Sequence, residues 1–138
     1  MWHGWVLAAC LVAGPAVAES RHYHADLNGG TERPPTDSAG SGVAEVSVDT
    51  VAHTLDYTLS FNGLSGAATA AHIHGPAPMG KNAGVVINFG ANPQSPVHGT
   101  AKVTDAQLDA LDGGSYYVNV HTAAHPGGEI RGQLVPAP

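Results

Sequence analysis

Thr54-Leu55-Asp56-Tyr57-Thr58-Leu59-Ser60-Phe61 alternates polar and apolar side chains at every step. Successive side chains of a strand point to opposite faces. This period of 2 therefore predicts a half-buried strand with Leu55, Tyr57, Leu59 and Phe61 facing a core. Upstream, Ala44, Val46 and Val48 repeat the pattern, and Asp49 to His53 read as a turn, so the two strands form a hairpin with one wet face. Further out, Tyr23, Ala25 and Leu27 share one face of a first strand, and His22, His24 and Asp26 share the other. Downstream, Thr69–His74, Val85–Phe89, Val97–Val103, Tyr116–Val120 and Glu129–Val135 read as strands. Loops rich in Gly and Pro, Gly75–Gly84 and Asn92–Pro96, separate them. Thr104-Asp105-Ala106-Gln107 matches a capping box and predicts a short helix through Leu108 and Leu111, ending near Gly113. About seven or eight short strands and one short helix predict an all-β Greek-key β-sandwich or flattened barrel.

Composition agrees. The chain has 138 residues, which favours one domain. Charged residues make up 12%, against about 25% in ordinary soluble proteins, and 43% of residues are hydrophobic, which argues against disorder. The 18 glycines show no collagen-like period. A net charge of −6 leaves no basic footprint for nucleic acid.

Residues Trp5 to Ala13 form an apolar run, and Ala16-Val17-Ala18 is a small-residue cleavage site. The predicted organisation is a signal peptide over 1–18, cut after Ala18, and a single domain over 19–138, periplasmic or secreted. The run is too short to span a membrane and Pro15 interrupts it. Leu7-Ala8-Ala9-Cys10 also resembles a lipobox, which makes a lipoprotein the alternative. Cys10 is the single cysteine. The mature domain then has no thiol, so any metal must sit on His, carboxylate or backbone groups.

Nine histidines outnumber Lys and Arg together. In Ala71-His72-Ile73-His74 the apolar set takes Ala71 and Ile73, so His72 and His74 share the opposite face and can reach one ion. In Tyr117-Val118-Asn119-Val120-His121 the same parity turns His121 outward beside Asn119, and in Ile130-Arg131 it turns Arg131 outward. His72, His74, His121 and Arg131 are thus expected on one outer surface. His125, in the turn leading to Pro126-Gly127-Gly128, is the expected fourth ligand, with His98 in reserve. His22 and His24 form another outward pair and are read as solvated, as is His53 in its turn. Glu129 is expected to pair with its neighbours.

These motifs resemble a known family. Gly63-Leu64 through Ala70-Ala71-His72-Ile73-His74-Gly75, then Gly114 through Thr122, then His125-Pro126-Gly127-Gly128-Glu129-Ile130-Arg131-Gly132-Gln133-Leu134 carry the likeness, with Leu27, Glu32 and Pro34-Pro35 upstream. Together they resemble the CHRD domain, named for chordin, from about Tyr23 to Val135. The resemblance implies an extracellular or periplasmic β-sandwich and no defined activity. A weaker likeness is to copper-zinc superoxide dismutases. It implies His72, His74 and His121 as copper ligands and Arg131 as an anion-guiding group. The usual cysteine pair, an Asp-bearing zinc cluster in Gly75–Pro96 and a bridging histidine after His74 are absent, so the likeness implies a copper-only site.

Three or four imidazoles without thiolate suit Cu(II), Zn or Ni, and the affinity order puts copper first, with zinc the alternative. No nucleotide loop, Ser-His-Asp set or carboxylate pair points to a hydrolase. Three function classes follow: a metal-binding exported domain, a dismutase-like copper enzyme acting on superoxide, and a non-catalytic extracellular interaction or structural module.

Overall fold

A computed structural model describes residues 9–12 and 19–138. Most of the expected signal peptide, with its Ala16-Val17-Ala18 site, lies outside the described residues. Among those described, Cys10 is exposed and unpaired, and no helix is long and apolar enough to cross a membrane.

The alternation seen in the sequence becomes nine strands. They are β1 (Ser20–Asn28), β2 (Ser41–Asp49), β3 (Thr54–Asn62), β4 (Ala68–His74), β5 (Val85–Ala91), β6 (Val97–Lys102), β7 (Tyr117–Thr122), β8 (Ile130–Gln133) and β9 (Val135–Ala137). One helix, α1 (Asp105–Asp112), lies between β6 and β7, and a 3-10 turn covers Gly29–Thr31. The capping box forms as expected: the Gln107 amide donates to Thr104 Oγ1 at 3.1 Å, and the Thr104 amide to Gln107 Oε1 at 2.9 Å.

The sheet runs β5-β4-β7-β8-β1-β2-β3-β6, with β9 also pairing on β1. The β5 and β6 strands end this order yet follow each other in sequence and touch, so the sheet curls into a nearly closed, flattened barrel. The β3–β4 and β6–β7 connections cross from one half to the other, as in a Greek key. Inside, Tyr23, Leu27, Val46, Val48, Leu55, Leu59, Ile73, Val118, Val120 and Ile130 are buried. Tyr57 and Phe61 are half-buried at the rim, where the Tyr57 ring stacks on Phe89 at 4.1 Å.

The last expected strand is two. Leu134 leaves the ladder, its amide donating to the Tyr116 carbonyl at 2.9 Å, and the chain passes on to β1 as β9. At Gly132 the β8 backbone lies so close to β1 that a Cβ there would overlap the Asp26 carbonyl. That approach seats β8 between β7 and β1.

Candidate metal centre

The β4 and β7 strands pair antiparallel, with His72 opposite Asn119, His74 opposite Tyr117, and Ala70 opposite His121. His72 and His121 are therefore diagonal neighbours on the outer face, within reach of each other. His72 Nδ1 lies 3.1 Å from His121 Nε2. Ligand atoms of His72, His74 and His121 all fall within 4.8 Å of one another, and all three residues are half-buried. A tetrahedral ion with bonds of about 2.0–2.1 Å holds its nitrogens about 3.3 Å apart. The His72–His121 pair already has that spacing, whereas His74 must close in from within 4.8 Å and give up its Asn119 contact to join them.

The proton positions follow from the partners. His121 Nδ1 donates to the Pro126 carbonyl at 2.9 Å, which leaves Nε2 as a lone pair. His72 Nδ1–H then donates to it, so the pair holds one proton where a cation would sit. His74 Nδ1 lies 3.0 Å from the Ala83 carbonyl, and its Nε2 lies 2.9 Å from Asn119 Oδ1. Carbonyls behind two of the three rings are the outer-shell partners that orient metal-binding histidines. Burial, helped by the neighbouring His121 and His74, pushes His72 down to about 4. Burial also lowers His74, against the Ala83 and Asn119 contacts. Both rings are therefore neutral at pH 7, the form that ligates. With no thiolate and no carboxylate in the cluster, the donor set fits Cu(II) or Zn(II).

His125 is not part of this convergence. It lines a cleft of about 270 Å³ with Arg33, Asp37 and Pro126, and its backbone closes the turn through Thr122. His98 sits on β6, outside the converging cluster, bonded to Thr58 Oγ1 at 3.0 Å. His22 is exposed, while His24 pairs with Glu45 at 2.6 Å and Asp26 at 3.0 Å. His53 contacts Asp105 at 2.7 Å.

Arg131 departs from the expectation. Its strand parity is as read, but the side chain is only 2% exposed, so it does not lie on an outer surface. The Gly75–Gly84 loop folds over it: Nη1 donates to Asn82 Oδ1 at 2.8 Å and Nη2 to the Lys81 carbonyl. The guanidinium lies 3.5 Å from the Tyr117 ring centroid. Parity assigns a sheet face; it is silent on whether a distant loop covers that face. Covered in this way, Arg131 is not free to meet an incoming anion.

Glu129 pairs with its neighbours, as expected. It accepts from Ser38 Oγ at 2.7 Å, the Ser65 amide at 2.9 Å, Thr122 Oγ1 at 2.8 Å and the Ser65 hydroxyl. Burial alone would raise it, but the Ser65 and Ser38 bonds prevail and hold it at about 2.

Sequence reasoning missed three members of the site. Tyr117 stacks on His74 at 4.8 Å and 4°, and Asn119 bonds it. Their shared parity with His121 was the available signal. Glu32, which the sequence offered only as part of the family likeness, is 2% exposed, its Oε2 has no hydrogen-bond partner, and burial raises its pKa. Gly128 makes room for it, since a Cβ there would overlap Glu32 Oε2 and lie 2.8 Å from Asn119 Nδ2.

The family model of the CHRD domain matches residues 23–134. Chordin of Danio rerio is 34% identical over 113 residues, covering 73% of this chain and 12% of that protein. The chain thus spans about an eighth of that relative's length. No solved structure matches the chain. With the family model covering nearly all of the barrel, the chain belongs to the CHRD domain family.

Proposed function

We propose that this chain is an exported CHRD-domain protein that binds one metal ion, copper first and zinc as the alternative, through His72, His74 and His121. The observation that carries the reading is the convergence of three half-buried imidazoles whose ligand atoms lie within 4.8 Å. The Pro126 and Ala83 carbonyls behind His121 and His74 support it. Export rests on the apolar run and the Ala16-Val17-Ala18 site, and it suits a chordin-like domain. Binding is favoured over dismutase turnover, because Arg131 is committed to Asn82 and Lys81.

Calorimetric titration with Cu(II) tests the reading. The wild type should take up one equivalent tightly, and His72→Ala/His74→Ala should lose that site. Equal affinity in both proteins would contradict it. The similarity to a chordin domain supports a second reading, an extracellular interaction module in which the histidines serve structure. Purified protein without metal affinity would favour that module.

A further inference from the structure

The Lys81–Ala83 segment stands over the outer face of β7 and β8, and two buried side chains hold it from below. Arg131 donates to Asn82 Oδ1 at 2.8 Å and to the Lys81 carbonyl. The Tyr117 hydroxyl accepts from the Ala83 amide at 3.0 Å and donates to the Ala83 carbonyl at 3.2 Å. Arg131 and Tyr117 also hold each other, guanidinium over ring at 3.5 Å. On the other side of β7, the His74 ring lies parallel to Tyr117 at 4.8 Å. The same Ala83 carbonyl faces His74 Nδ1 at 3.0 Å.

We propose that Arg131 and Tyr117 are positioning residues for His74: by fixing the Ala83 carbonyl they keep the ring proton on Nδ1 and reserve Nε2 for the ion. This rests on the metal-binding reading above. Its force comes from a competition between two acceptors. Asn119 Oδ1 lies 2.9 Å from Nε2, and a neutral imidazole has a single N–H for the two oxygens. The Ala83 carbonyl is fixed by its clamp, and Asn119 Oδ1, on a buried side chain, is the rival acceptor for the same proton. Loosening the clamp lets the proton move to Nε2 and bond Asn119, and that tautomer cannot ligate through Nε2. The arrangement also explains a buried guanidinium that bonds no carboxylate. Planar Arg serves two loop acceptors and an aromatic face at once, which Lys cannot do.

The test uses Tyr117→Phe, which keeps the stacked ring and removes the hydroxyl, together with Arg131→Lys. Asn82→Ala, at an exposed loop position, guards against a folding defect. Long-range ¹H–¹⁵N correlation spectra read the His74 tautomer in the metal-free protein, and competition titration reads Cu(II) and Zn(II) affinity. The wild type should show Nδ1–H. The variants should shift toward Nε2–H and lose about 10- to 100-fold in metal affinity, the usual cost of removing an outer-shell partner. Wild-type tautomer and affinity in all three variants would overturn the proposal, as would an Nε2–H wild type. A wild type with Nδ1–H that takes up no ion would overturn the metal reading alone, because the tautomer is measured without metal.

Discussion

Glu129→Gln should reveal how strongly one buried carboxylate braces the loops beside the histidines. The side chain accepts hydrogen bonds from Ser38, Ser65 and Thr122, tying the segment before β2, the β3–β4 connection and the end of β7 together. Thr122 directly follows His121. The folded carboxyl is held at about 2, against 4.5 for an unperturbed group. That difference amounts to at most about 3 kcal/mol of stability at pH 7. A depressed folded pKa contributes fully above the unfolded value and fades as pH falls toward the folded one. The contribution should thus shrink to about 1.5 kcal/mol at pH 3. Glutamine is neutral throughout, so wild type and variant should converge in acid. Urea unfolding at a series of pH values measures this. A gap of up to about 3 kcal/mol at pH 7 that narrows below pH 5 is expected. A gap that does not change with pH would refute the reasoning, since the cost would then be shape and not charge.

Gly128→Ala should lower both Tm and metal affinity, because its φ is +125 and a Cβ would press on Glu32 and Asn119; thermal melts and a titration check this. Removing the helix cap with Thr104→Ala should cost about 1 kcal/mol in urea unfolding and leave metal affinity unchanged. His72 titrates at about 4 folded against 6.5 unperturbed, so the unfolded chain binds the extra proton across that window. Metal-free protein should accordingly lose stability as pH falls from about 6.5 to 4, and His72→Gln should flatten that loss in pH-dependent unfolding. Intact mass of the exported protein should correspond to a chain starting at Glu19; a lipid on Cys10 or a retained Met1 would contradict the export reading.

Much of the barrel was legible in residue alternation. Leu55 and Leu59 on β3 and Ala44, Val46 and Val48 on β2 fall inward where period 2 puts them. The three converging histidines were legible in the same way, since parity on β4 and β7 sets a shared face and antiparallel pairing supplies the contact. Covering loops were not legible. The acceptors for Arg131 come from residues 50 and 49 positions away, and no local pattern announces that the Gly75–Gly84 loop folds back onto β8. Glu32 was hidden for a related reason: its burial depends on a turn after β1 packing against Gly128, nearly a hundred residues later. His125 looked available because it follows His121 closely, yet it stays out of the converging cluster and lines a different cleft. The break at Leu134 was equally invisible, because a buried Leu continues the apolar pattern while its amide bonds Tyr116.

Counting the imidazoles on the ion tests the central claim most directly. Electron paramagnetic resonance of the protein loaded with one equivalent of Cu(II), with nitrogen couplings resolved by double resonance, should give three imidazole nitrogens. His121→Ala should reduce the count to two, and His125→Ala should leave it at three. Fewer than three nitrogens in the wild type, or a spectrum unaffected by His121→Ala, would contradict the site at His72, His74 and His121.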